Sequence, residues 1–169
     1  MKSKVQRKAG KKVAEKSVVN RRARFDYQLG DELIVGLALT GAETKAARFS
    51  EVSLRGSYVV PRNYGKNSEL FLINAGFTLP NFSRKSFQDS STKIDTRERK
   101  ILAKRKEIDR FLDAKKSGMS IIPVKLLTRG RYIKLVIALG KGKKLYDKRE
   151  TIKRKDQQRE NAKIIKNLG

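Results

Sequence analysis

The apolar runs that a core can use lie between Phe25 and Leu139, and they are short, alternating and separated by turn signals. Phe25, Tyr27 and Leu29 alternate with polar residues, and beyond a turn at Gly30-Asp31 so do Leu33, Val35, Leu37 and Leu39. A period of two is that of a strand with one buried face. Tyr58 to Arg62 and Glu69 to Ala75 flank the polar turn NYGKNS, while Ser120 to Leu127 and Tyr132 to Leu139 flank a tight turn at Arg129-Gly130. Two helices are expected. A short one over Gly41 to Phe49 places Ala42, Ala46 and Phe49 on one side. A longer one opens at Asp95-Thr96-Arg97-Glu98, which reads as a capping box, and runs through Ile101, Leu102, Ile108, Phe111 and Leu112 to a stop at Gly118. About six short strands joined mostly by tight turns favour a mainly β fold with flanking helices, a small antiparallel barrel over a doubly wound sheet.

The two ends have little to bury and much charge. Residues 1–24 carry ten Lys or Arg against one acid, and residues 141–169 carry eleven against four. They therefore supply 16 of the net +25 charges of a 169-residue chain. A charge of that size favours a polyanionic partner, either nucleic acid or an acidic membrane surface. The chain has no His and no Cys, which excludes zinc fingers, thiolate nucleophiles, imidazole acid–base chemistry and disulfides. No catalytic set, metal site or cofactor is expected. No apolar run approaches the ~20 residues of a membrane helix and the N-terminus lacks the apolar middle of a signal peptide, so a soluble, cytoplasmic, monomeric protein is expected.

The chain divides into a basic arm over residues 1–19, expected to be disordered, a folded body over residues 20–140 beginning near Asn20 to Arg24, and a basic tail over residues 141–169. Within the body, residues 80–95 read as a long exposed loop. The tail, opening with GKGKKLYDKRETIKRKD, has no apolar stripe. As a helix it would show Ile152 alone, then a long charged span before Ile164, Ile165 and Leu168. Ordering ~15 residues costs on the order of 15–30 kcal/mol of backbone entropy, which these side chains do not offset. The tail is expected to be unordered in the chain alone and to become helical on an external surface that supplies many contacts. A surface of phosphates suits its cations, Tyr146 can stack on a base, and the Ile pair can enter an apolar crevice.

Other motifs carry less. GLALTGAE has the glycine spacing of a phosphate loop, but Ala42 and Glu43 stand where Lys and Ser/Thr are needed, and GKGKK reads as a flexible hinge. Asp31-Glu32 and Glu107/Asp109 read as solvated surface acids. The cations of the expected long helix, Arg97, Arg99, Lys100, Lys104, Arg105 and Lys106, fit either a solubilising face or an RNA-binding one, and both readings stand at this point.

NRRARFDY (Asn20 to Tyr27), LTGAETKAAR (Leu39 to Arg48), VSLRGSYV (Val52 to Val59), RKILAKRKEID (Arg99 to Asp109), IPVKLL (Ile122 to Leu127) and GKGKKLYDKRETIKRKD occur in this order. Together they resemble the SmpB family, the protein partners of transfer-messenger RNA (tmRNA) in bacterial ribosome rescue, over roughly residues 20–166. The resemblance implies an oligonucleotide-binding (OB)-like antiparallel barrel that binds the tRNA-like domain of tmRNA. It also implies a tail that enters the empty mRNA channel and decoding centre of a stalled ribosome as a helix. By position, Asn20, Arg22 and Arg24 match the family's opening motif, Glu43, Lys45 and Arg48 its short-helix motif, and Leu102 and Lys134 residues that support RNA binding. Lys100 joins that set. In the tail, Lys143, Lys144 and Tyr146 precede the signature Asp147-Lys148-Arg149, and Ile164 and Ile165 match the family's apolar pair.

Two departures bear on the interface. Ile34 stands where the family often has an acid, which removes a polar RNA contact there, and Phe25 stands in place of a frequent His. The loop SFQDSSTKID also lacks the usual Asn-His-Asp-Pro. The reading is a non-enzymatic RNA-binding adaptor. Two others stand beside it: a ribosomal or ribosome-assembly protein whose OB-type barrel binds rRNA, and, less supported, a nucleic-acid enzyme.

Overall fold

The computed structural model describes residues 17–64, 67–79 and 93–167. In chain order the elements are β1 (Ser17–Val19), α1 (Arg21–Asp26), β2 (Tyr27–Leu37), α2 (Gly41–Arg48), β3 (Val52–Ser53), β4 (Tyr58–Tyr64) and β5 (Asn67–Ile73). There follow β6 (Gly76–Leu79), β7 (Lys93–Asp95), β8 (Arg99–Leu102), α3 (Arg105–Lys116), β9 (Ser120–Leu127), β10 (Lys134–Gly142) and α4 (Leu145–Asn167). Seven strands form one sheet in the order β1-β9-β10-β2-β8-β5-β4, and β3, β6 and β7 form a second. The large sheet curls until β4 meets β9 at Val59↔Ile121. A single register pair closes that seam, so the body is OB-like rather than a fully laddered barrel.

Alternation dictates the core. Val35 and Leu37 of β2, Leu70 and Leu72 of β5, Ile101 of β8, Leu126 of β9 and Leu135 and Ile137 of β10 meet inside, joined by Ala46 and Ala47 of α2 and Ile108 and Phe111 of α3. Pro123, which has no N–H to give a ladder, sits at the register shift between β9 and β10.

Four expectations are corrected. Ser17–Val19, expected to belong to the disordered arm, pairs with Leu127–Lys125 as an edge strand; residues 1–16 lie outside the described residues. Phe25 belongs to α1, and Gly30-Asp31 is no turn: β2 runs through it because β10 pairs with it from Gly36 down to Tyr27. The bend that composition suggested is taken up by a register shift between Ala138 and Gly140. A Cβ on Gly140 would stand 3.2–3.3 Å from side-chain atoms of Tyr27, Ile122 and Leu29, so any larger residue would have to push these neighbours aside by a few tenths of an ångström.

The long helix starts later than its sequence signal. Asp95 accepts a bond from the Arg97 N–H at 2.9 Å and makes a local turn, and Arg99–Leu102 is a strand inserted between β2 and β5. Its inward residues are Arg99 and Ile101, its outward ones Lys100 and Leu102. The helix opens at Arg105, where the Glu107 carboxylate accepts from the Lys104 N–H at 2.9 Å. Of the expected loop, residues 80–92 lie outside the described residues, and its end is β7.

The tail, expected to be unordered alone, is helical from Leu145 to Asn167. Its composition explains this without packing: Lys, Arg, Glu, Gln and Ala are good helix formers, and Glu150–Arg154 at 3.3 Å and Asp156–Arg159 at 3.6 Å pair one turn apart. Among the described side chains of the helix, the large apolar ones, Leu145, Tyr146 and Ile152, are exposed and form no docking face.

Candidate nucleic-acid interface

Strand register brings three residues into one row on the outside of the barrel. Lys134 of β10 pairs with Gly36 of β2, and Gly36 pairs with Leu102 of β8. Lys134 is exposed and Leu102 is 53% exposed, an unusual position for a leucine on a sheet. Two residues along β2 and on the same face stands Ile34, 58% exposed, and two residues before Lys134 stands Tyr132, 67% exposed. The Arg131 guanidinium lies 5.3 Å over the Tyr132 ring. These side chains line a shallow cavity of about 570 Å³. Gly36 forms its floor: a Cβ there would come within 3.1 Å of the Leu102 Cβ. A flat apolar floor with an aromatic ring and two cations at its rim is what an unstacked base and its phosphates require. Gly36→Val would fill this floor, and for a candidate nucleic-acid surface the expected result is an RNA affinity lowered about tenfold with an unchanged far-UV spectrum.

Glu43 is not at that surface. As the third residue of α2 it completes a capping box, its carboxylate accepting from the Thr40 N–H at 2.7 Å while the Thr40 hydroxyl accepts from the Glu43 N–H at 3.4 Å. The side chain is fully buried and takes Arg97 in a fork at 2.6 and 2.7 Å and Arg99 Nε at 2.9 Å. Arg99, also fully buried, donates to the Asp95, Arg97 and Ala75 carbonyls and lies 4.0 Å over the Phe77 ring. Burial alone would raise the Glu43 pKa; the hydrogen bonds from Arg97 and Thr40 and the charges of both arginines prevail and lower it to about 2. Of the two acceptor partners that the residue type allows, a base or an arginine, the fold uses arginine. Glu43 thus fixes α2 to the start of β8, the strand that carries Lys100 and Leu102.

Arg48, at the end of α2, donates through Nη2 to the carbonyls of Gly130 at 3.1 Å and Arg131 at 3.4 Å. It holds the turn from which Arg131 and Tyr132 project; Gly130 takes φ +99° in that turn, a conformation suited to glycine. Lys45 is exposed on α2, and Lys100 pairs with Glu69 beside Leu102.

The model of the family described as SmpB protein matches residues 17–167. Similar chains include SsrA-binding proteins of Rhodopseudomonas palustris strain TIE-1, 41% identical over 153 residues covering 89% of this chain and 91% of the relative, and of Ligilactobacillus salivarius, 36% identical over 151 residues covering 89% and 92%. The chain belongs to the SmpB family. A solved chain described as "tmRNA-SmpB: a journey to the center of the bacterial ribosome" matches with a TM-score of 0.56 and 30% identity, over 76% of this chain and 85% of that one.

The remaining residues singled out by the SmpB resemblance fall into two groups. Asn20 is buried: its Nδ2 donates to the Pro123 carbonyl at 2.9 Å and its Oδ1 accepts from the Ala23 N–H at 3.3 Å, so it caps α1 and straps it to β9. Arg22 and Arg24 stand exposed on α1, near Asp26 at 3.9 Å and Glu32 at 3.6 Å. In the tail, Asp147 accepts from the Lys144 N–H at 3.1 Å and so caps α4, and Tyr146 is 67% exposed. Lys144 and Arg149 are exposed, whereas Lys143 and Lys148 turn back onto α1. Ile164 and Ile165 lie within the helical span, and their side chains lie outside the described residues.

Tyr132 and Arg131 join the surface without having been singled out by the sequence, and Arg97 and Arg99 were likewise not singled out as the partners of Glu43. Tyr132 and Lys134 share a face by their two-residue spacing, which was a usable signal. The arginines were hidden by the helical pattern assigned to them. Among the described residues no group of three or more His, Cys, Asp or Glu is placed to hold a metal ion, and no helix is long and apolar enough to cross a membrane.

Proposed function

We propose that this SmpB-family chain is an RNA-binding adaptor of ribosome rescue, in which the body, residues 20–140, holds the tRNA-like domain of tmRNA and the tail, residues 141–169, probes the empty mRNA channel. The observation that carries the reading is the row Leu102, Gly36, Lys134 with the exposed Tyr132, an apolar, cation-rimmed solvent-facing shelf on a body followed by a basic helix. The names of the relatives, SsrA-binding protein and tmRNA-SmpB with the bacterial ribosome, support the same partners.

The roles follow from the chemistry. Tyr132 stacks an unpaired base, Leu102 and Ile34 cover its apolar edge, and Lys134 and Arg131 bind phosphates with counterion release. Ile34, where a carboxylate is frequent, makes this contact by apolar area rather than by a hydrogen bond. Arg22, Arg24, Lys45 and Lys100 add sequence-independent phosphate contacts, and Asn20, Glu43 and Arg48 hold the elements that present them. In the tail, Tyr146 offers a ring for stacking and Lys144 and Arg149 bind rRNA phosphates, with Ile164 and Ile165 anchoring the far end.

The test is RNA binding by Tyr132→Ala and Lys134→Ala, measured against a tRNA-like domain of tmRNA over a salt series. Tyr132→Ala is expected to weaken binding by about 1–3 kcal/mol at every salt concentration. Lys134→Ala is expected to weaken it and to reduce the salt slope by about one unit. Unchanged affinity in both variants, with a normal fold, would move the RNA surface elsewhere on the body.

A further inference from the structure

The junction between β10 and α4, which composition marks as a hinge, is tied to the body on both sides. Asp26 is the last residue of α1 and its only acid, among Arg21, Arg22 and Arg24. Its Oδ1 accepts from Lys148 Nζ at 2.9 Å, and its own carbonyl accepts from the Lys143 N–H at 2.9 Å. The Lys143 ammonium continues to the Arg24 carbonyl at 3.0 Å. Between these anchors the sheet makes its last pair, Gly142↔Tyr27, next to Asp26 in the chain. The carboxylate and the Lys148 side chain are each 28% exposed, less than in either other ion pair among the described residues of the tail. Arg22 Nε, at 3.9 Å from Asp26 Oδ2, is the other cation facing this carboxylate.

An acid on an otherwise cationic helix beside an RNA-binding body works against phosphate affinity unless it serves a cation of its own chain. We propose that Asp26 is a positioning residue, a socket that receives Lys148 and sets the direction in which the tail helix leaves the body. Lys148 is then spent on orientation, and its neighbour Arg149 is the cation of the Asp147-Lys148-Arg149 signature that projects outward. The socket is independent of any RNA; its functional consequence rests on the tail's role as a probe.

The chain contains no Cys, so Lys106→Cys on α3 and Lys153→Cys on α4, both exposed, accept a pair of spin labels in the full-length protein. At roughly 0.1 M salt, where a partly exposed pair still acts, pulsed electron resonance is expected to give one narrow distance distribution. Asp26→Ala or Lys148→Ala should broaden it, and the exchange Asp26→Lys with Lys148→Asp should narrow it again. A distribution already broad in the parent, or unchanged in both single variants, overturns the socket.

In the unlabelled chain, Asp26→Ala should leave affinity for the tRNA-like RNA unchanged and lower tagging on stalled ribosomes about fivefold. Undiminished tagging with a broadened distribution overturns the positioning role. Failure of the unsubstituted chain to tag at all counts instead against the adaptor reading, and the distances then decide the socket alone.

Discussion

Cutting the chain after Lys144 is expected to leave affinity for the tRNA-like RNA within about twofold at roughly 0.2 M salt and to abolish peptide tagging on stalled ribosomes. The cut falls beyond Gly142, so every pair of β10 with β2 and β9 survives. A cut after Leu139 would remove the pairs of Gly140, Lys141 and Gly142 with Leu29, Gln28 and Tyr27 and damage the body itself. What is lost is a helix of 23 residues, which at 1.5 Å per residue reaches about 35 Å from the body. No point substitution removes that reach. Filter binding and a stalled-ribosome tagging reaction read the two effects separately. Loss of both together would show that tail and body do not divide the work.

The second large effect is on stability. Glu43→Gln is expected to destabilise the body by about 3–5 kcal/mol, because the isosteric amide leaves the buried Arg99 guanidinium with only the more distant Asp95 carboxylate, at 3.8 Å, as a counter-charge. The pH dependence has a definite sign. Glu43 is held at a pKa of about 2 against an ordinary value of 4.5. A lowered carboxylate pKa contributes stability that is fully present above the unfolded value and is lost as pH falls through the folded one. The parent should therefore lose this contribution between pH 4.5 and about 2, and Glu43→Gln should not show that component. Urea unfolding followed by far-UV circular dichroism reads both. The double substitution Glu43→Leu with Arg99→Met should recover much of the loss, since it removes both buried charges together and leaves Arg97, 44% exposed, to water. A double variant as unstable as either single one would mean that the pair holds more than its own charges.

The elements with strong local signals were legible. The β9–β10 and β4–β5 hairpins follow from alternation around turns, and α2 follows from its Ala-rich run. The resemblance to SmpB singled out Leu102 and Lys134, and the strand register sets both in one exposed row. What failed were segments whose local pattern competes with a tertiary demand. Arg99–Leu102 has helical neighbours and helical composition, yet β2 and β5 leave an open ladder between them that only an extended segment fills. Glu43 and Arg99 read as surface charges because charged residues are seldom buried; they are buried because each supplies the other's partner across 56 residues of chain.

By itself, then, the amino-acid sequence determined the class of partner, the β-rich body and the separate tail. Net charge, alternation and the sparse, scattered apolar residues after Leu139 are properties of composition and spacing that no fold can alter. Only the tertiary structure decided which charged groups meet solvent and which are spent inside. Register alone sets Leu102, Gly36 and Lys134 in one row, and the meeting of α1 with the end of β10 alone turns Lys148 onto Asp26. The physical reason is the same in both cases. Such contacts join residues far apart in the chain, and they exist only once the curl of the sheet has brought the strands together.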